Sequence, residues 1–427
     1  KMRIRLAYHR DGLYVDIPDR NLVAVPEPRE TEPESDGATL VARALAEPIG
    51  TPPLSELART KRSAVVAVCD VTRPVPNPII LPQVLRSLEE SGIPRRAITI
   101  LVATGLHRPD SIDELKEMLG PEIVAHYRVE NHVATDPDSH VDLGVTPRGV
   151  PVHIDRRWCE SDLKISIGLI EPHFMAGWSG GRKLICPGLA SEETIRRWHS
   201  PIFLEHPAAT VGSIVGNPVH EENTWIARRA GCDFIVNVVI DRARRIQRAV
   251  AGDLEQAWER GVASASEQMT VTIPEPVDIV VTSAAGYPLD ATYYQAIKGV
   301  VCASESVKPG GTIICAAGMR EGLGSDAFVR CFADYPDPDD FLRAILPDSA
   351  PVRTDQWQIE EYVKALRRAR CIFVTDGQPH AVLRRMYAKT SDSVESAIRE
   401  SLERYGHMAT IAVIPEGPYV LVKVANR

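Results

Sequence analysis

The sequence predicts an α/β protein of two domains, each a mostly parallel sheet flanked by helices. Three observations predict it. Short apolar runs of strand length alternate with longer helical stretches along nearly the whole chain, the pattern of strand-helix-strand crossovers. The chain has 427 residues, more than a single core usually organises. A break at Thr272-Ile273-Pro274-Glu275-Pro276-Val277 interrupts the alternation, because prolines there continue neither a helix nor a central strand. Residues 1–272 are therefore expected as one α/β unit and 277–427 as a second.

Taken in order, Lys1 to Val25 alternates apolar and polar residues, which predicts a hairpin and not a signal peptide. A polar, Pro/Glu-rich connection spans Pro26 to Gly37. The run Ala64 to Cys69 is a strand ending in Asp70-Val71-Thr72-Arg73-Pro74, with a helix from Ile79 to Glu90. The strand Ile98 to Val102 ends in Ala103-Thr104-Gly105-Leu106-His107-Arg108-Pro109, and the strand Leu163 to Leu169 delivers Glu171-Pro172-His173. Three strands thus each hand over to a loop holding His or Arg, as expected where ligands sit at the carboxyl edge of a parallel sheet. Ser191 is a natural cap for a short helix closing at Thr194 to His199, with Glu192 and Glu193 suiting its dipole and Pro201 limiting it.

In the second unit the strands are Ile279 to Thr282, Thr312 to Ala316, Cys371 to Thr375 and Thr410 to Ile414, with helices over Tyr294 to Ser306 and Ser391 to Tyr405. Tyr335 to Asp340 reads as a surface loop, and Tyr419 to Val424 as a last strand free to return to the first domain.

Composition narrows the functional classes. Hydrophobic residues at 44% and charged residues at 25% exclude a disordered or fibrous chain. A net charge of −8 without a concentrated Lys/Arg face speaks against nucleic acid as a partner. No window reaches eighteen apolar residues, so no membrane span is expected and the cytoplasm is the expected address. The eight cysteines are scattered with no C-x-x-C pair, and read as reduced core residues.

The run Gly177-Trp178-Ser179-Gly180-Gly181-Arg182-Lys183 combines glycines that allow close backbone approach with two cations, which suits an anion. It is not a Walker loop, because Leu184 follows the lysine. A formal dinucleotide pattern at Gly322-Leu323-Gly324-Ser325-Asp326-Ala327 sits several residues beyond its strand and reads as a loop or helix cap. Two histidines, His107 and His173, fall at strand ends of one domain and are candidate acid/base groups. Zinc-type spacings are missing, yet His199 could offer one ligand to a metal already held by an organic group. Tyr294, Gln295 and Lys298 share a helix face.

Read together, these segments resemble the lactate racemase family. The matching pieces are Asp70 to Pro74, Ala103 to Pro109, Glu171-Pro172-His173 running into Ser179-Gly180-Gly181-Arg182-Lys183, and Tyr294-Gln295-Ala296-Ile297-Lys298-Gly299. The resemblance implies an active site in the interdomain cleft and a nickel-pincer nucleotide, a Ni(II) pyridinium-3,5-bisthiocarboxylic acid mononucleotide attached covalently at Lys183. It implies that His199 ligates the nickel, that Asp70, Thr72 and Arg73 contact the cofactor, and that His107 and His173 are the paired acid/base residues. It further implies substrate contacts from Arg73, Tyr294, Gln295, Lys298 and Trp357. The implied activity is racemisation or epimerisation at C2 of a small, lactate-like 2-hydroxy acid by reversible hydride transfer. A longer substrate such as a sugar acid, a non-catalytic cofactor-binding protein and a nicotinamide dehydrogenase are the alternatives.

Overall fold

The computed structural model describes residues 1–29, 31–347 and 349–425. The chain opens with the hairpin β1 (Met2–Leu6) and β2 (Leu13–Ile17), followed by β3 (Leu22–Ala24). Next come β4 (Ala64–Cys69), β5 (Ile98–Ala103), β6 (Arg128–Asn131), a small hairpin of β7 (His140–Val145) and β8 (Pro151–Asp155), and β9 (Leu163–Leu169). A two-residue ladder joins β10 (Pro172–His173) to β11 (Gly177–Trp178), and β12 (Phe234–Ile240), β13 (Ile246–Gly252) and β14 (Thr270–Ile273) follow. The remainder is β15 (Val277–Ser283), β16 (Val307–Ala316), β17 (Arg370–Val374), β18 (Lys389–Thr390), β19 (Ile411–Ile414) and β20 (Leu421–Val424).

Two six-stranded sheets result, in the orders β13-β12-β9-β4-β5-β6 and β18-β17-β16-β15-β19-β3. The first is parallel except for β13 at its edge. Every pair in the second is parallel. Strands such as Ala-Val-Val-Ala-Val-Cys in β4 are apolar throughout because helices cover both faces of a parallel sheet. The pleat divides them: Val65 and Ala67 enter one core, Ala64, Val66 and Val68 the opposite one.

The first 24 residues, expected with the first unit, associate with the second sheet instead, β3 as a strand of it and the β1-β2 hairpin as a separate two-stranded sheet packed on its face. β3 pairs with β19, and Ile4, Leu6, Val15 and Ile17 pack on Ile279, Val281, Ile314 and Val413. The physical reason is the alternation itself: one face of the hairpin is apolar and covers a sheet face that the helix Val394–Tyr405 covers only in part. The expected linker begins within a strand, since β14 pairs in parallel with β20. The span Tyr335 to Asp340 is not all loop, because Asp337 caps a helix from Pro338 to Ile345. Gly322 to Ala327 leads into the helix Asp326–Asp334, capped by Ser325, so this stretch does not form a dinucleotide turn. The eight cysteines are all free thiols. Among the described residues no helix is long and apolar enough to cross a membrane.

Candidate active site

In the first sheet the chain builds outward from β4 through β5 to β6, then crosses over to lay β9 on the other side of β4. At such a switch point the loops leaving adjacent strands diverge, and a crevice opens at their carboxyl ends. A cleft of about 150 Å³ lies there. The first body lines it with Asp70, Thr72, Arg73, His107, His173, Lys183 and His199, and the second with Tyr294, Lys298, Asp355, Trp357 and Gln358.

Asp70 ends β4 and Thr72 turns back onto it, the Thr72 hydroxyl donating to Asp70 Oδ1 at 2.6 Å. The other oxygen, Oδ2, lies 2.5 Å from His107 Nδ1. Burial alone would push the Asp70 carboxyl up, but His107, Thr72 and Arg73 outweigh it and hold the group below the ordinary range. An ionised Asp70 keeps the imidazole proton on Nδ1 and leaves the Nε2 lone pair free. The His107 side chain is 42% exposed, so that lone pair can meet a ligand in the cleft. Arg73 is ion-paired with Glu171, whose second oxygen is buried without a hydrogen-bond partner.

His173 is arranged the opposite way. The tight β10-β11 turn aims the amides of Met175 and Ala176 at its Nδ1, at 3.3 and 3.1 Å. An Nδ1 that accepts two amides carries no proton when neutral, so the proton resides on Nε2. Burial, then Lys183, Arg73 and Lys298, push its pKa well below the usual 6.5.

The glycine-rich run passes beneath these groups. Gly180 is left-handed at φ 79°, and a Cβ on it would stand 2.7 Å from Asn237 Oδ1, the atom that accepts the Gly181 amide at 2.7 Å. Arg182, expected to face an anion, is instead buried. It donates to the Ala176 carbonyl at 2.9 Å and lies 3.9 Å over the Trp258 ring, bracing the loop from behind. Of the two cations only Lys183 lines the cleft. Its amine stands 5.1 Å over the Trp198 ring, and burial, then Arg73 and Arg182, drive its pKa well below 10.5, toward a neutral amine.

Ser191 caps the helix Glu192–Trp198 as expected, accepting from the Thr194 amide. His199 closes that helix. Its Nδ1 donates to the Ile195 carbonyl at 2.9 Å, its ring stacks on Trp357 at 4.4 Å, and burial, then Lys183, lowers its pKa to about 3. It is a neutral imidazole with Nε2 available, the form that binds metals.

From the second body, the Lys298 amine donates to Gln295 Oε1 at 2.5 Å. Gln295, expected to hold substrate, is buried and does not line the cleft; the short reach across one helical turn turns it onto the lysine. Burial, then Arg73, lowers Lys298 to about 7. The Tyr294 hydroxyl accepts from Trp357 Nε1 at 3.0 Å, which fixes both rings. Sequence reading missed Asp355. Its backbone is left-handed at φ 64°, Ser325 donates to its carboxylate, and burial raises its pKa. A lone acidic residue two positions before Trp357 was its only trace in the sequence.

Comparison with known proteins gives the family and the fold. Residues 8–212 match the family described as the lactate racemase N-terminal domain, and residues 272–422 the lactate racemase C-terminal domain. The chain is 40% identical over 384 residues to the lactate racemase of Lactiplantibacillus plantarum, covering 90% of each. It is 34% identical over 423 residues to that of Thermoanaerobacterium thermosaccharolyticum, covering 98% of this chain and 99% of the relative. The lactate racemase apoprotein structure from the latter organism superimposes with a TM-score of 0.93 over 99% of this chain and 100% of that one. A Thermotoga maritima protein, 19% identical, shares the fold at a TM-score of 0.68 over 87% of this chain and 97% of that one.

Fold and site together define a two-body α/β enzyme with acid/base groups and cations gathered on an interdomain cleft. The chain belongs to the lactate racemase family, and it is accordingly an isomerase.

Proposed function

We propose that this enzyme racemises lactate or a similarly small 2-hydroxy acid, the C2 hydrogen leaving with its electron pair and returning to either face. One observation carries the reading: His107 and His173, with opposite proton placements, share a cleft with the cations Arg73 and Lys298. The α C–H of a hydroxy acid is too weakly acidic for an imidazole to remove as a proton. Departure with the electron pair needs a two-electron acceptor beyond these side chains.

The residues fit a nickel-pincer nucleotide. Among the described residues no group of three or more His, Cys, Asp or Glu could hold a metal, so a single imidazole such as His199 would complete coordination begun by an organic group. Burial lowers the pKa of the Lys183 amine, which favours the nucleophilic form that covalent attachment needs, and Asp70, Thr72 and Arg73 border the same space. When bound, that group supplies the reversible acceptor for hydrogen and its two electrons.

The chain's own residues do the rest. Arg73 and Lys298 meet the substrate carboxylate through charge-assisted hydrogen bonds. His107 takes the hydroxyl proton on Nε2, while Asp70 holds the Nδ1 proton and stabilises the imidazolium that forms. His173 donates a hydrogen bond from its Nε2–H to the substrate oxygen from the other side, and the proton held by His107 returns to that oxygen as the hydrogen and its electron pair return to C2, leaving both rings neutral as they began. Trp357, Tyr294 and Phe174 wall the cleft and keep water from the planar keto acid.

The test is a panel of D- and L-2-hydroxy acids, including a sugar acid, resolved by chiral chromatography on cofactor-loaded enzyme. Lactate should reach a racemic mixture from either enantiomer. Turnover of the sugar acid alone would shift the reading to an epimerase, with Asp355 receiving the extra hydroxyls. Lys183→Ala should abolish the covalent mass adduct, and an unchanged adduct would refute the tether.

A further inference from the structure

The second sheet has a switch point of its own. The chain runs outward from β15 through β16, β17 and β18, then returns to lay β19 on the far side of β15. The loops leaving β15 and β19 therefore part, as those leaving β4 and β9 do. A cavity of about 180 Å³ occupies this place, bordered by Ala285, Gly286 and Tyr287 after β15 and by Glu416 after β19. It lies behind the Arg73-Glu171 pair, with Glu171 in its wall.

The charge there is unbalanced. Each wall carboxylate has a cation of its own: Glu171 has Arg73, Asp241 has Arg245 and Glu416 has Arg242. Arg5, Arg10 and Arg244 also line the cavity, and among the described residues none of the three has an ion-pair partner. They are nevertheless held in place. The Arg10 guanidinium lies 3.8 Å over the Tyr287 ring, Arg244 Nη2 donates to the Tyr287 carbonyl at 3.1 Å, and Arg5 Nη2 donates to the Asp11 carbonyl at 3.0 Å.

The backbone is strained at the same spot. Of the six left-handed non-glycine residues among those described, three border this cavity: His9 at φ 44°, Arg244 at 61° and Ala285 at 66°. Such conformations are disfavoured for residues with a Cβ and gather at binding sites. Three forked, pre-oriented guanidiniums around one cavity match the oxygens of a phosphate, and Glu171 Oε2, buried without a partner, can accept from a hydroxyl beside it.

We propose that this cavity is a second ligand site, distinct from the catalytic cleft, for a phosphate group carried on a small hydroxylated molecule or free in solution. The site does not depend on the racemase reading, since none of its three arginines touches the catalytic cleft.

Isothermal titration of the full chain with inorganic phosphate and with adenosine 5′-monophosphate tests it. Binding should survive Lys183→Ala and Lys298→Ala, which alter only the catalytic cleft, and weaken about 10-fold or more in Arg10→Gln/Arg244→Gln, a loss of about 1.4 kcal/mol. Arg5→Gln, on the exposed hairpin, provides a second variant should the double one fold poorly. Tighter binding of the nucleotide identifies a phosphate ester, and equal binding a free phosphate; either supports the site. Parent-like affinity in the arginine variants, or no heat from either anion in the millimolar range, overturns it.

Discussion

The two sides of the interdomain cleft carry the same residue type in opposite surroundings. On one side His107 is partly exposed and backed by the carboxylate of Asp70. On the other, His173 is buried, capped by two backbone amides and ringed by cations. A carboxylate at Nδ1 leaves a base at Nε2, whereas amides at Nδ1 leave a proton there. Identical side chains thus acquire complementary proton placements from neighbours contributed by different loops.

Removing either imidazole should have the largest effect. His107→Ala and His173→Ala are each expected to lower kcat/KM by about 10² or more, equally in both directions because the enantiomers are isoenergetic. A variant retaining the parent rate would break the pairing. Next comes Asp70→Asn, which removes the carboxylate that fixes one ring only. Turnover should fall at least about 10-fold, and ring-nitrogen NMR should show a changed proton placement at His107 with His173 unaltered. A shift at both rings would mean that the two sides are not independently set.

The pH dependence of substrate binding comes third. Lys298, depressed to about 7, loses its charge as pH rises through that value, so KM for an anionic substrate should climb above about pH 7. Lys298→Arg should flatten the rise, because a guanidinium stays protonated.

Stability in acid is fourth. His199 and His220 are each lowered to about 3 by burial, while an unfolded histidine takes its proton near 6.5. Between these values the unfolded chain binds more protons, so stability falls as pH drops from about 6.5 toward 3. Denaturant melts across that window measure the loss, and His220→Gln should reduce it. The smallest change is Ser191→Ala, which removes the cap of the helix ending at His199 and should cost about 1 kcal/mol in the same melts.

Much of this was legible beforehand. Ala64 to Cys69 and Leu163 to Leu169 form the expected strands to the residue, and Ser191 opens the helix before His199. Asp70, Thr72, Arg73, His107, His173, Lys183, His199, Tyr294, Lys298 and Trp357 meet on one cleft. Most were marked by a strand end or a family motif, while His199 was marked by its helix end and Trp357 by the resemblance alone. Arg182 and Gln295 escaped because adjacent residues in a motif can point oppositely, and only Trp258 and Lys298 decide which way. Asp355 escaped because its meaning comes from Ser325 and Tyr294, distant in sequence.

The sequence by itself determined the strands, the caps and the inventory of titratable groups, since hydrophobic period and capping chemistry act over a few residues. Only the tertiary structure decided which sheet the opening hairpin covers, which ring nitrogen carries the proton, and where the three arginines converge. Those outcomes depend on partners brought together from far along the chain, and no local pattern encodes them.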